Sequence, residues 1–386
     1  MHTLDLTDPP CITEELRLLR EQVRRFVADE VLPFADGWER EGCIPRAVFR
    51  RLGELGLLGM RHPVEYGGTD LGPVASVLWA EELGRSGYGG LPASVLVHTD
   101  MSSTHISRRG TETQKRRYLP PIIRGEKVVA IAVTEPGAGS DVAGMKTRAV
   151  RDGDHWVING SKLYITNGVH GDLYIVAART DPQAKGSRGI SLFIVEKGTP
   201  GLVVAKELDK HGDLCSDTAE LYFDELRVPA ENLLGEENKG FYAVMDNFQN
   251  ERLCMAGSSI GSSLRAIEVT LDHVRTRQAF GGTLWDLQAT RQKLSMLATK
   301  VTAARALTYA AAELEAQGKD CVREISMAKI FACEVNVEVV NSCLQLHGGS
   351  GFMRGMAIER MTRDARIQTI GGGATEVMLE EVGKRL

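Results

Sequence analysis

The residues with most to say about chemistry fall in four stretches. Thr134-Glu-Pro-Gly-Ala-Gly-Ser-Asp141 is a glycine loop entered from the apolar run Val128–Val133. Glycines let backbone N–H groups approach a ligand without side-chain obstruction. The loop lacks Gly-x-Gly-x-x-Gly and no helical period follows it, which argues against a Rossmann dinucleotide site; by itself it reads equally well as a turn. Tyr164-Ile-Thr-Asn-Gly168 sets an aromatic and a hydroxyl at a strand end, able to stack on and hydrogen-bond a flat heterocycle, or simply to close a hairpin. Phe248-Gln-Asn-Glu-Arg252 places a carboxylate in an otherwise apolar helix. Desolvation would raise its pKa toward the range of a general base, although a helical Glu is more often half-exposed and ion-paired. Arg277-Gln-Ala-Phe-Gly281, Gln288, Gln345-Leu-His-Gly-Gly349 and Gly371-Gly-Gly-Ala-Thr-Glu376 complete the set. Arg277 has the charge to neutralise a phosphate, and the glycines would let backbone donors reach another.

These stretches need elements to hold them, and the sequence pattern changes twice. Residues 1–125 read as helices. Thr13-Glu-Glu-Leu16 caps an amphipathic run with apolar positions at Leu16, Leu19, Val23, Phe26, Val27 and Val31. Further helical runs cross Val48–Leu58, Ala75–Leu83 and Thr111–Leu119, the last stopping ahead of Pro120-Pro121. Residues 126–235 are strand-like: Lys127–Thr134, His155–Ile158, Leu163–Ile165, Leu173–Ala178, Ile190–Val195, Leu202–Ala205 and Ala219–Phe223, with the sheet ending near Pro229. Asp152-Gly153, Asn159-Gly160 and Asn167-Gly168 lie among them as hairpin signals, because such pairs accept the positive φ of tight turns. Over 236–386 the helical period returns in Phe241–Arg275, Asp286–Gln317 and Val322–Leu346, long runs that suit a bundle. The order is helical domain, β domain, helical bundle.

Composition narrows the class. The chain of 386 residues carries 46 Lys+Arg against 51 Asp+Glu, a net charge of −5, so bulk charge favours neither nucleic acid nor an anionic membrane. Uninterrupted apolar runs stop at six residues, where a bilayer crossing needs about 20. The N-terminus lacks the cationic start and apolar block of a signal peptide. The expectation is a soluble, cytoplasmic protein. Seven scattered cysteines without Cys-x-x-Cys and nine histidines without ligand spacing support neither a disulfide framework nor a metal site.

Taken together and in order, Glu135-Pro-Gly-Ala-Gly-Ser-Asp141, Ile165-Thr-Asn-Gly168, Arg277-x-x-Phe-Gly281 and Gln345-x-x-Gly-Gly-x-Gly351 resemble the flavin-dependent acyl-CoA dehydrogenases, with Lys210-x-Gly-x-x-x-Ser-Asp-Thr218 between them. The resemblance spans the chain. It implies an α+β multidomain fold: an N-terminal helical domain, a middle β-barrel or sheet domain and a C-terminal four-helix bundle. It also implies FAD between sheet and bundle, and a homotetramer. Val133, Thr134, Gly139 and Ser140 would line the isoalloxazine and the neighbouring substrate. Tyr164 would stack beside the ring where many relatives have Trp, and Thr166 would hydrogen-bond near flavin N5. Arg277, Phe280, Gln288, Gln345, Gly348 and Gly349 would hold the pyrophosphate and adenosine of a neighbouring subunit's FAD. Ala374 and Glu376 also fall on cofactor positions, Ala374 replacing a hydroxyl common in relatives.

The reaction implied is α,β-dehydrogenation of an acyl-CoA thioester to the trans-2-enoyl-CoA in lipid metabolism. A base takes the α-proton, hydride passes to flavin N5, and an electron-transferring flavoprotein receives the electrons. Most relatives carry the base as the Glu of Tyr-Glu-Gly near the C-terminus, where this chain has Gly371-Gly-Gly373. A minority, including isovaleryl- and long-chain-type enzymes, place it on the bundle helix at the position matching Glu251. Glu251 is therefore expected to be the base, with the Gly372 N–H keeping an oxyanion role. Phe248 and Arg252 would flank the CoA-side entrance. Leu214 stands where an Arg is frequent. His98-Thr-Asp-Met101 and Phe248-Gln-Asn-Glu-Arg252 are similar to citronellyl-CoA-type dehydrogenases. Two alternatives remain open. One is an acyl-carrier-protein thioester dehydrogenase, for which Arg108, Arg109, Lys115, Arg116 and Arg117 would form a basic rim. The other is a catalytically silent flavin- or CoA-binding scaffold.

Overall fold

The first helix, α1 (Glu14–Phe26), begins where a hydroxyl can replace a missing helical acceptor. The Thr13 side chain accepts from the Leu16 N–H at 3.3 Å, and Glu14 and Glu15 occupy the first turn, the end that favours negative charge. Leu16, Leu19, Val23 and Phe26 are its buried face. The computed structural model describes Leu4 and residues 6–386.

Six more helices complete the N-terminal layer: α2 (Ala35–Glu41), α3 (Arg46–Glu54), α4 (Gly72–Gly84), α5 (Gly90–Leu96), α6 (Ser103–Arg109) and α7 (Glu112–Ile123). Between α5 and α6 the chain winds as a π-helix over Val97–Ser102. The sequence stops α7 ahead of Pro120-Pro121, yet the helix runs through both prolines. Each proline has a φ that suits a helix but gives up its N–H and crowds the carbonyl one turn back; here the Pro120 and Pro121 carbonyls accept from Arg124, Glu126 and Lys127 and close the last turn.

The middle layer is a mixed sheet of β1 (Val129–Ala132), β2 (Arg148–Asp152), β3 (His155–Thr166), β4 (Leu173–Arg179), β5 (Ile190–Glu196), β6 (Leu202–Glu207), β7 (Thr218–Pro229) and β8 (Leu233–Leu234). The order is β6–β7–β3–β2–β4–β5–β8, with β1 parallel to β4. The sheet thus passes Pro229, where the sequence ends it, by one short strand. Of the three expected hairpin turns, only Asp152-Gly153 joins paired neighbours, β2 and β3. Asn159-Gly160 lies inside the continuous strand β3 as a register shift against β7. A Cβ at Gly160 would come within 2.5 Å of Thr147 Oγ1, so this glycine admits a neighbouring strand instead of turning the chain. Asn167-Gly168 ends β3, but β4 does not pair with it.

The C-terminal layer contains three long helices, α8 (Gly240–Thr276), α9 (Gln288–Ala316) and α10 (Val322–His347), with α11 (Ala357–Ala365) and α12 (Thr375–Gly383) against them. Helix α8 is the axis of the molecule. It packs on α4 of the first layer and on α9 and α10 of its own. Its residues Val244 and Phe248 join the apolar cluster under the sheet, with Val133, Ala138 and Ile175. One helix therefore touches all three layers.

Candidate active site

Glu251 stands on α8 and is 6 % exposed. Burial lifts its carboxyl from the ordinary range to about 8; the Asn247 amide, donating from Nδ2 to Oε1 at 3.2 Å, and the Arg252 charge pull the other way. Among the described residues no cation forms an ion pair with it. The bland expectation for a helical Glu, half-exposed and ion-paired, is not what the fold builds. A buried carboxyl poised near neutrality is what proton abstraction needs.

The residues around it converge. The Arg252 guanidinium lies 5.6 Å from the Phe248 ring centroid. Its Nε points at the Gly372 carbonyl at 3.5 Å, at the limit of a hydrogen bond. Lys329 Nζ donates to the Gly373 carbonyl at 2.6 Å. The turn 371–373 is thereby held against α8 one helical turn beyond Glu251, where an added Cβ on Gly372 would meet Met255 Sδ at 2.4 Å. Gly372 has φ +62°, a conformation in which a side chain is strained. Its N–H donates to no group among the described residues. Ala374 then caps α12, and Glu376 lies exposed in that helix's first turn.

The glycine loop approaches α8 from the sheet side. It is fixed by a buried lysine that the sequence reading did not single out. Lys162 is fully buried on β3 and donates from Nζ to the Val133 carbonyl at 2.9 Å and to Glu135 Oε1 at 2.8 Å. Glu135 also accepts from the Lys146 and Thr147 N–H groups. Burial works against its charge, and Lys162 with these donors holds the carboxyl below its usual range. The Leu163 N–H donates to the Thr134 carbonyl at 2.9 Å, so strand and loop form one rigid corner. From it Gly139 and Ser140 extend into the open, with nothing within 4 Å of a Cβ built on Gly139.

Just past this corner β3 slips register between Lys162 and Ile165. Tyr164 has φ +61°, uncommon for an aromatic residue, and its side chain is left 67 % exposed. Thr166 follows at the strand end, half-buried. Asn167, next along, exchanges hydrogen bonds with Ser94: Ser94 Oγ donates to Oδ1 at 2.5 Å and Nδ2 donates to the Ser94 carbonyl at 2.9 Å. An aromatic at positive φ, held by a satisfied frame and left exposed, has the geometry to offer a ring face to a planar group.

The remaining candidates lie elsewhere. Arg277 is about 39 Å from Glu251 along α8, at ~1.5 Å per residue. Around it gather Phe280, Gln288 at the start of α9, and Gln345, Gly348 and Gly349 at the end of α10, all exposed. The His273 and His347 rings stack at 4.1 Å and hold these helix ends together. Arg277 forms no ion pair among the described residues, and Phe280 is 91 % exposed. The expected basic rim is largely neutralised: Arg109 pairs with Asp246, Arg116 with Glu112, Arg117 with Glu196, and Arg108 faces Glu315. All seven cysteines are free thiols, and no helix among the described residues is long and apolar enough to cross a membrane.

Comparison with known proteins bears on this geometry. The chain matches the family profiles of the acyl-CoA dehydrogenase N-terminal domain over residues 13–126, the middle domain over 130–226 and the C-terminal domain over 238–386. It is 39 % identical to the mitochondrial long-chain specific acyl-CoA dehydrogenase of Rattus norvegicus over 375 residues, 97 % of this chain and 87 % of that protein. It is 37 % identical to the mitochondrial isovaleryl-CoA dehydrogenase of Pongo abelii, covering 97 % of this chain and 89 % of that one. Among solved structures, an acyl-CoA dehydrogenase from Geobacillus kaustophilus superposes with a TM-score of 0.95 at 39 % identity, over 98 % of this chain and 99 % of that chain.

Proposed function

The chain belongs to the FAD-dependent acyl-CoA dehydrogenase family, and from that premise we propose that Glu251 is the base that takes the α-proton of its acyl-CoA substrate. The observation that carries this reading is the buried carboxyl at 251, raised to about 8 and free of any ion pair among the described residues. With Gly371–Gly373 at the other position, no competing carboxylate stands on that turn.

The residues present fit FAD. The exposed Tyr164 ring, on the strand whose Leu163 N–H binds Thr134 of the glycine loop, would offer a face to a flat heterocycle, and the open Gly139–Ser140 backbone would offer donors, with Val133, Thr134 and Thr166 lining it. Ala374 and Glu376 stand where α12 begins, an end that favours an anionic or hydroxylated group. When bound, FAD supplies the acceptor for the hydride that leaves Cβ.

The chain's own residues do the rest. Glu251 accepts the proton from Cα, and the electron pair of that C–H bond becomes the Cα–Cβ π bond as the Cβ hydrogen departs with its own pair as hydride; on the way, part of the Cα charge is shared with the thioester oxygen. The Gly372 N–H, which has no partner among the described residues, donates to the thioester oxygen as it gains negative charge. Phe248 and Arg252, whose guanidinium lies over the Phe248 ring, flank the approach to the base, and the exposed Ser140 of the glycine loop would contact the substrate. Phe248 packs against the apolar cluster that contains Val133 and Ala138, which keeps water from that side.

The far cluster, Arg277 to Gly349, serves a second copy of the chain. It is too far from Glu251 to serve the same ring system, and its exposed Phe280, Phe352 and Met353 are an apolar surface suited to burial between copies. A homotetramer, and an electron-transferring flavoprotein as acceptor, complete the reading. The test is Glu251→Gln. It should retain FAD and lose at least ~100-fold in the rate at which a medium or branched acyl-CoA bleaches the flavin anaerobically. A near-parental rate would overturn the assignment.

A further inference from the structure

The base is fastened to a part of the molecule that has no share in the chemistry. Asn247 lies one turn before Glu251 on the same face of α8 and is 1 % exposed. Its Nδ2 faces Glu251 Oε1 at 3.2 Å, the Asp100 carbonyl at 3.1 Å and the Met101 carbonyl at 3.0 Å. Its Oδ1 accepts from Thr104 Oγ1 at 2.8 Å. Asn250 Nδ2 adds a second bond to the Asp100 carbonyl at 2.8 Å. These carbonyls belong to the π-helical turn Val97–Ser102. A π turn interrupts the regular ladder and leaves main-chain acceptors to be satisfied from outside.

We propose that Asn247 is the positioning residue of the base: its amide spans from the π turn to Glu251 and fixes the direction in which the carboxyl points. The inference rests on Glu251 being the base. The Asp100 and Met101 carbonyls can only accept, so the amide turns Nδ2 and not Oδ1 to the side on which Glu251 Oε1 lies; Thr104 Oγ1, shared with the Asp100 carbonyl, supports Oδ1 from behind. The N–H of Nδ2 stabilises the carboxylate over the acid. The other charged groups nearby do not take this role. Arg252 follows Glu251 on α8 and is turned to Phe248 and the Gly372 carbonyl. Asp100, on the π turn, is bound by Thr99 and faces Asn250. Lys329 of α10 binds the Gly373 carbonyl, while Glu381 and Arg385 of α12 act on Arg252. The turn 371–375 carries no titratable side chain.

A residue that merely filled the π-turn carbonyls would affect folding and leave proton transfer alone. The two roles separate in the pH profile. In Asn247→Ala holoenzyme, anaerobic flavin reduction should fall about tenfold at pH 7, and its half-maximal point should move up by about one pH unit, with the rate recovering at high pH and KM unchanged. Thr104→Val, which removes the donor to the amide oxygen and so weakens the amide as a donor, should move the profile the same way by about half as much, and it carries the test if Asn247→Ala does not fold. Profiles that superpose on the parent's, with only a lower Tm, would overturn the proposal. Glu251→Gln run alongside separates the failures. A Glu251→Gln enzyme that keeps its rate refutes the base itself; an inactive one beside unshifted Asn247→Ala and Thr104→Val profiles refutes the role of Asn247 alone.

Discussion

At Glu251, α8 is enclosed by the π turn on one side, the glycine turn 371–373 on another and the loop beneath the sheet on a third. At Arg277 the same helix ends among exposed residues, with Phe280 and the Gly348-Gly349 pair open to solvent. At the near end the carboxyl's frame is hydrogen-bonded within one chain, with the Gly372 N–H left over. The far end presents charge, glycine backbone and aromatic surface with no partner among the described residues. A proton-transfer site must be dry and preorganised, which one chain can supply by packing. A site for a large dianionic cofactor can be shared, because charge and backbone donors work from the surface of a neighbour.

Substitutions at the two ends should therefore fail in different ways. The largest expected effect is Gly372→Ala. Its φ of +62° and the close Met255 sulfur would displace the turn and its free N–H. Flavin reduction should fall roughly 100-fold, as for loss of an oxyanion donor, with FAD content and oligomeric state retained; an unchanged rate would remove Gly372 from the site. Next, Arg277→Ala should release FAD about tenfold more readily and shift the assembly toward smaller species in sedimentation. Loss of FAD from a fully assembled protein would break the link between the far end and oligomerisation, and intact FAD occupancy would remove Arg277 from phosphate binding.

The smallest effect is thermodynamic. Glu251 ionises at about 8 in the folded chain against 4.5 in the unfolded one. Between those values the folded state retains a proton that the unfolded state releases, so rising pH costs stability until about 8 and no more beyond it. Glu251→Gln abolishes this term. Its Tm advantage over the parent should grow by a few degrees from pH 5 to pH 9 in calorimetry. A constant difference would mean that the carboxyl titrates normally and that the near end is wetter than its packing indicates.

How far the sequence could lead differs from element to element. The Thr13 cap and the three long C-terminal helices were legible because their signals are local: a hydroxyl before two acids, and apolar residues at a 3.6 period. The Asn159-Gly160 pair misleads because the same dipeptide serves a tight turn or a bulge, and the proximity of Thr147, just ahead of β2, decides between them. Pro120-Pro121 misleads because the carbonyls of both prolines are taken up by Arg124, Glu126 and Lys127, which close the last turn despite the two missing N–H groups. Lys162 and Asn247 gave no warning. A Lys in an alternating strand and an Asn on a helix are ordinarily solvated, and neither has a spacing that marks it.

From residue identity and order alone follow the three layers, the kinship and the chemical types at the site: a carboxylate at 251, glycines at 371–373, an arginine at 277. These rest on local periodicity and on motifs whose spacing survives without coordinates. Tertiary structure decided that the carboxylate at 251 is buried and protonated near neutrality, that an amide from the preceding turn holds it, and that Arg277 lies far away in the open. Desolvation and hydrogen-bond geometry depend on which atoms meet across hundreds of residues, and no periodicity along the chain encodes that.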